Sequence, residues 1–270
     1  MNHFLITRFN VKIKNWKNSK KGEEVLTDKW LKERFFLFET YCLPSVKNQS
    51  NLNFKWFVFF DKDTPEIYKN RIQKIANNFP NFIPVYIQDI TFLNSSFKQC
   101  ITNNIIDPKK NIITTRLDND DLIHREFIET IQKNYVDRDG VVIDLRRGYQ
   151  VALGEQNDQI RIFDFPFNPF VSYIEKYKEN LQTVMYQQHR SFKYNKNQLI
   201  IDEKPLWIEL VHESNKYNTV RQDHFRIKNF NNKDFGISTF HSFKEDKGKV
   251  FFHNFKLSIL KKVKRIKKKF

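Results

Sequence analysis

Residues 116–124 read RLDNDDLIH and place three carboxylates within four positions at the end of an apolar run. In an extended chain side chains alternate, so Asp118 and Asp120 face one way and Asn119 the other, the two carboxylates roughly 7 Å apart along the strand. Such a pair repels unless a cation or hydrogen-bond donors lie between its members. Hard oxygen ligands suit Mg²⁺ or Mn²⁺, ions that keep positions open for water and substrate phosphate. The expected chemistry is therefore a divalent cation, Mn²⁺ or Mg²⁺, shared with a diphosphate. D-N-D-D is also good turn and helix-cap chemistry, but its place at a strand end favours the metal. An EF-hand loop is excluded, because the glycine and the distal glutamate are missing. Arg116 alternates onto the Asp118 face, where it either neutralises that carboxylate or meets a phosphate.

The elements that must position these groups follow from the apolar pattern. HFLITRF (3–9), FKWFVFF (54–60), FIPVYI (82–87) and NIITTRL (111–117) read as strands, the second a continuous run of the kind covered on both faces. Between them lie helical periodicities. One is capped by Asp28, carries Leu31, Phe35, Phe38 and Cys42 on one face and stops at Pro44. A second opens with Thr64, Pro65 and Glu66 and buries Ile67, Ile75 and Phe79; a third spans 95–104. A further helix is expected over 122–135 with Asp121 as its cap, followed by a strand at 140–145. Alternation of this kind predicts an α/β fold, a three-layer α/β/α sandwich around a mainly parallel sheet. Ligands in such sheets bind beyond the carboxyl ends of the strands, where Asp118 and Asp120 fall. The second half is more variable: RRGYQVAL and QIRIFDF suggest antiparallel strands, FPFNPFVSYIEKY an aromatic loop leading into a short helix, and PLWIELVH (205–212) a last apolar run. With no internal repeat and no linker, one domain is expected over 1–254, followed by a tail over 255–270.

Composition narrows the classes. The 270 residues are 40% hydrophobic and 16% aromatic, enough for a substantial core. Two cysteines, Cys42 and Cys100, offer neither a disulfide framework nor a zinc spacing, which suits a reducing cytoplasm. No run of about 18 apolar residues occurs, so neither a membrane span nor an export signal is expected. The formal net charge is +16, and residues 256–270 hold eight of the basic side chains and no acid.

TRFN near the start, FVFFDKDTP after the second strand, RLDNDDLIH, the RRG segment, QHR at 188–190 and PLWIELVHESN follow one another as in the rhamnosyltransferase family, which this chain resembles over about 3–220. That family is similar in fold to the GT-A glycosyltransferases. The resemblance implies transfer of a sugar from a nucleotide-diphosphate donor to a cell-envelope glycan or lipid-linked acceptor, rhamnose being the sugar in the family's name. It matches Asp118 and Asp120 to a D-x-D motif, with Asp120 the more direct metal ligand, and His212 to a late histidine that reaches the metal or diphosphate. Arg8, Asp61, Arg116, Asp121, His189 and Arg190 fall to the donor side, with His189 and Arg190 facing either diphosphate or acceptor. Glu209 and Glu213 depart from the pattern, which more often has a neutral residue and a glycine there.

An inverting transfer needs a carboxylate to deprotonate the acceptor hydroxyl. Asp144, Glu155, Asp158 and Asp164 lie in the right half of the chain, but none has a context that distinguishes it, and the base stays unassigned. The aromatics Phe163, Phe165, Phe167, Phe170 and Tyr173 form either core or an apolar shelf for a sugar or lipid-linked acceptor. In the tail, Leu257, Leu260, Val263, Ile266 and Phe270 recur at three- or four-residue intervals between Lys261, Lys262, Lys264, Arg265, Lys267, Lys268 and Lys269. A basic amphipathic helix of this kind lies on an anionic membrane surface, here the inner face of the cell membrane. A solubilising tail is the plainer alternative. The different-class alternative, a basic nucleic-acid-binding protein, needs an aromatic-interleaved basic face on the folded body; with half of the excess charge in the tail, no nucleic-acid partner is expected.

Overall fold

The computed structural model describes residues 1–13, 25–153, 159–212, 215, 218–227, 229–238 and 247–267, with the side chains of the last helix described as far as Val263. The four apolar runs of the first half become β1 (Asn2–Arg8), β2 (Lys55–Asp61), β3 (Phe82–Ile87) and β4 (Ile112–Arg116). They are parallel neighbours in the order β4-β1-β2-β3. Their carboxyl ends therefore share one edge of the sheet, with Arg8, Asp61 and the chain leaving Arg116 side by side.

Helices α1 (Asp28–Leu37), α2 (Leu43–Lys47), α3 (Glu66–Asn78), α4 (Leu93–Asn104) and α5 (Phe127–Lys133) cover this sheet. Strand alternation divides their contacts. Leu5, Trp56, Val58 and Phe60 pack with α1, α3 and α5 through Phe35, Ile72 and Ile128. Phe4, Ile6, Phe57 and Phe59 face the other way, onto Leu93, Phe97 and Ile101 of α4. The result is the expected three-layer α/β/α arrangement.

The second half adds β5 (Leu122–Ile123), β6 (Val141–Leu145), β7 (Arg147–Ala152), β8 (Gln159–Asp164), β9 (Ser172–Glu175), β10 (Gln198–Ile201) and β11 (Trp207–Val211). Strands β10, β6 and β9 extend the main sheet to seven, with β9 antiparallel between β6 and β4. A second, four-stranded sheet runs β5-β11-β7-β8. Its close packing depends on Gly148, where a Cβ would fall 2.2 Å from the Trp207 ring. Trp207 in turn stacks on Phe170 and donates from Nε1 to the Leu145 carbonyl, 2.6 Å away.

Several sequence expectations are corrected. The helix expected over 122–135 is instead β5 followed by the short α5, because β5 finds an antiparallel partner in β11. Asp121 caps nothing: its Oδ1 accepts from the Leu210 amide at 3.0 Å. The segment 172–175 is strand β9 rather than the start of a helix, since it fills the gap between β4 and β6. Thr27, not Asp28, caps α1, and Pro65 rather than Thr64 stands at the cap position of α3. Ile67 is exposed, and Tyr68 and Ile72 fill the α3 core instead. Pro44 does not end the first helix. A π-helical turn at Phe38–Cys42 resets the register, and Pro44 opens α2, where a missing N–H costs little.

A final helix, α6 (Lys247–Lys267), packs against the segment 224–226, which runs alongside β8. Val250 and Leu257 are buried, and Asn254 exchanges hydrogen bonds with the backbone of Arg226. Among the described residues no helix is long and apolar enough to cross a membrane.

Candidate functional site

Beyond the carboxyl end of β4, residues 118–121 do not continue as a strand. The Asp121 amide closes a turn onto the Asp118 carbonyl at 3.4 Å, so the alternation assumed for an extended chain does not apply. Asp118 and Asp120 nevertheless line the same cavity, brought there by the turn. Asn119 points back to the sheet, donating to the Phe9 carbonyl at 2.8 Å.

The turn is held by a cation from α1. Arg34 Nη1 lies 2.6 Å from Asp120 Oδ2 and 3.2 Å from Asn119 Oδ1. Both partners of the ion pair are buried, with 7% and 10% of their side-chain surface exposed. His212, just past β11, brings Nε2 to 2.9 Å from Asp120 Oδ2, and the Asn215 amide donates to the same oxygen at 3.2 Å. Burial by itself would raise the Asp120 pKa; Arg34 and His212 outweigh it and hold the carboxyl below its usual range. Its neighbour Asp121 is also buried but lacks such a cation. Burial and the nearby Asp120, Asp118 and Glu209 push its carboxyl well above the usual range.

Two cavities meet at this turn. The first, of about 380 Å³, is walled by Phe9, Val11, Trp30 and Ile90 together with Asp118 and Asp120. The second, of about 610 Å³, is walled by Arg116, His189, Arg190, Glu209 and Arg221. Arg8, Asp118 and Asn218 belong to both walls. Arg8 ends β1 beside Arg116, and burial followed by that neighbour's charge lowers its pKa. Arg116 reaches Asp118 at 3.4 Å, while its buried Nε has no hydrogen-bond partner.

His189 accompanies Arg190 on the second wall, as the sequence pairs them. Its Nδ1 hydrogen-bonds the Phe167 carbonyl, and burial lowers its pKa, favouring the neutral ring. Arg190 stacks over the Phe165 ring at 5.4 Å. Phe163 and Phe170 are core, and of the aromatic loop only Phe165 reaches a cavity wall. Asp61 lies on neither wall. Its Oδ1 accepts from the Asp63 amide at 2.7 Å and faces Lys12 at 3.4 Å, while Oδ2 is buried without a hydrogen-bond partner. His212 and Asp121 stand behind the turn rather than on either wall.

Glu155, Asp158, Glu213, Lys268, Lys269 and Phe270 lie outside the described residues, as do the side chains of Lys264, Arg265, Ile266 and Lys267. Sequence reasoning missed Arg34, Asn215, Asn218 and Arg221. Arg34 alone had a local signal: it falls four residues after Trp30 and three after Leu31, a charge set into the apolar face of a helix.

The donor set suits a small hard cation only in part. Asp120 Oδ2 and His212 Nε2, 2.9 Å apart, are hydrogen-bonded to each other, and the same oxygen meets Arg34 and Asn215, so an ion there would replace those contacts. Asp118 shares the cavity. Among the described residues no three His, Cys, Asp or Glu side chains already converge on one point.

The sequence matches the family described as "Putative rhamnosyl transferase" over residues 2–224. No curated protein matches it. Among solved structures, the backbone is similar to S. aureus TarS 1-349, at 12% identity over 78% of this chain and 60% of that one, with a TM-score of 0.44. The same protein in complex with UDP-GlcNAc aligns at 12% identity over 83% and 63%, also at 0.44. The chain thus spans about three-fifths of the length of those TarS chains.

Proposed function

The chain belongs to the putative rhamnosyl transferase family, and from that premise we propose that it moves a sugar from a nucleotide-diphosphate donor to a cell-envelope glycan or lipid-linked acceptor. The observation that carries this reading is the pair of cavities joined at Arg8, Asp118 and Asn218. The first, with aromatic and aliphatic walls, suits a nucleoside. The joint, with Arg8 and the carboxylates, suits a diphosphate, and the larger second cavity suits the sugar and the incoming acceptor. Its guanidinium groups, Arg8, Arg116, Arg190 and Arg221, add positive charge where the diphosphate carries negative charge.

Asp118, Asp120 and His212 would hold Mn²⁺ or Mg²⁺. Such an ion, when bound, stabilises the negative charge that develops on the departing nucleoside diphosphate. The chain's own part is to fix Asp120 as an anion through Arg34, and to present Arg8 and Arg116 at the leaving-group end. Asp61 lies on neither cavity wall, so a donor-side role for it would need its contacts with Lys12 and the Asp63 amide to open.

The final helix supports a peripheral membrane position. α6 exposes Phe251, Phe252, Phe255, Ile259 and Leu260, interspersed with the exposed Lys256, Lys261 and Lys262. Apolar side chains for the acyl boundary and lysines for anionic headgroups make a surface-lying helix.

Thermal shift with UDP, dTDP and GDP, each with and without Mn²⁺, tests the donor reading. At least one nucleoside diphosphate should raise the melting temperature, more so with Mn²⁺, and Asp118→Asn and Asp120→Asn should weaken the shift. No response to any of the three nucleotides would end this reading. dTDP-L-rhamnose and UDP-GlcNAc are the donors to assay first. Co-sedimentation with phosphatidylglycerol vesicles, against a DNA duplex as control, tests the surface: Phe252→Ser with Phe255→Ser should release the protein from vesicles.

A further inference from the structure

Four guanidinium groups, those of Arg8, Arg116, Arg190 and Arg221, stand on the wall of the second cavity against two carboxylates, Asp118 and Glu209. Arg8 closes the joint with the first cavity and Arg116 reaches Asp118 beside it, so these two suffice to meet the two phosphates of a donor. Arg190 and Arg221 remain.

Their setting is built rather than incidental. Arg190 lies over the Phe165 ring at 5.4 Å and Arg221 over the Phe163 ring at 5.9 Å, and the two rings adjoin, their centres 5.1 Å apart. Phe163 is core, fixed by edge-on contacts with Trp207 and His224. The Arg221 amide donates to Gln150 Oε1 at 2.7 Å, which holds the backbone at that guanidinium. A guanidinium stacked on an aromatic face is preorganised and keeps its N–H edge for a ligand. The carboxylates of the cavity are engaged elsewhere, Asp118 with Arg116 and Glu209 Oε2 with Gln150 Nε2, which donates to it at 2.6 Å. Arg221 acts on Glu209 through charge without touching it. Among the described residues neither Arg190 nor Arg221 pairs with a carboxylate. Two such cations, in a cavity that must also admit the acceptor, call for an anion on the acceptor.

The same support carries the last helix. The His224 ring that meets Phe163 edge-on at 5.0 Å belongs to the segment against α6, and its carbonyl accepts from His253 Nε2 at 3.1 Å. The arginine pair and the helix with exposed Phe252, Phe255, Lys256 and Lys261 are therefore braced on one residue. The phosphate that joins a glycan to its lipid sits at the membrane surface, the level at which such a helix lies.

We propose that Arg190 and Arg221 form a second phosphate site, which binds the phosphate linking the acceptor glycan to a membrane lipid. The assignment rests on the glycosyl-transfer reading given above and names its acceptor class. Arg8 and Arg116 hold the donor's diphosphate, and the second pair holds the acceptor's, so that the acceptor sugar is presented between them.

The test uses the full chain with whichever of UDP, dTDP and GDP the wild type binds, at saturation, so that the donor site is filled. Phosphatidylglycerol vesicles doped with a polyprenyl diphosphate should then bind the wild type about tenfold tighter than undoped vesicles of matched charge. Arg190→Gln with Arg221→Gln should abolish that preference while binding to the undoped vesicles, which α6 provides, persists. In solution, glucose 1-phosphate should raise the melting temperature of the wild type where methyl glucoside does not, and the double variant should weaken that shift by more than it weakens the shift from nucleoside diphosphate. Equal losses for the two ligands would assign the pair to the donor and overturn the proposal. So would a wild type that distinguishes neither doped from undoped vesicles nor glucose 1-phosphate from methyl glucoside. Discrimination in solution without preference for the doped vesicles would overturn the lipid linkage and point to a water-soluble phosphorylated glycan. A wild type that binds no nucleoside diphosphate would instead remove the glycosyl-transfer reading on which the assignment stands.

Discussion

Asp120 and Glu209 face the same cleft from its two halves and are equally buried, each 7% exposed, yet their carboxyl groups are displaced in opposite directions. Asp120, on the parallel-sheet side, has a guanidinium, an imidazole and an amide on one oxygen. Glu209, on the small sheet, has an amide from Gln150 and a more distant arginine. Burial penalises the charge on both; only Asp120 has a cation in contact to reverse the penalty. Similar burial thus leaves the two carboxyls displaced in opposite directions, Asp120 lowered by the cation in contact with it and Glu209 raised for want of one.

The strongest way to break the contrast is to remove the cation. Arg34→Met should leave Asp120 buried with only His212 and Asn215, at a cost of about 3–5 kcal/mol in urea unfolding. Adding Asp120→Asn should restore part of it, and an unchanged unfolding midpoint in Arg34→Met would show that the pair does not hold the turn. Next in size is Gly148→Ala, which drives a methyl into Trp207 beside the Glu209 strand. An over-packing loss of about 1–3 kcal/mol is expected, with nucleoside-diphosphate binding preserved, since the first cavity is built by other strands.

The pH dependence of stability separates the two carboxylates by sign. The folded-state pKa of Asp120 is depressed, so its contribution is full above the unfolded value of about 4 and is lost as pH falls through the folded one. The gap between wild type and Asp120→Asn should therefore narrow in acid. The folded-state pKa of Glu209 is raised, so its contribution is full below about pH 4 and is lost as pH rises through the folded value. Glu209→Gln should gain on wild type as pH rises above about 4, and parallel curves for the two variants would erase the distinction. The smallest effect belongs to the periphery. Lys261 lies 4.3 Å from the centre of the Phe225 ring. Lys261→Gln should change the melting temperature by no more than about 2 °C and lower affinity for anionic vesicles by roughly fivefold, the equivalent of about 1 kcal/mol per surface cation.

Much of the first half was legible because its signals are local. Strands β1 to β4 are apolar runs, and a carboxylate directly after the fourth must emerge at the edge where parallel strands end. The second half was less so. The segments that form β5 and β9 carry no period that tells strand from helix; their partners β11, β4 and β6 decide. The D-N-D-D stretch shows the same limit on a smaller scale, since both its turn and its cation come from contacts outside itself.

By itself the sequence determined the alternation of strands and helices, the family, and the presence of acidic oxygens at a strand end, all properties of neighbouring residues. Only the tertiary structure decided which of those acids stays charged. Arg34 reaches Asp120 across 86 positions of the chain and Gln150 reaches Glu209 across 59. A carboxyl group's proton affinity depends on the charges and dipoles within a few ångströms of it, and in the folded chain those come from distant segments.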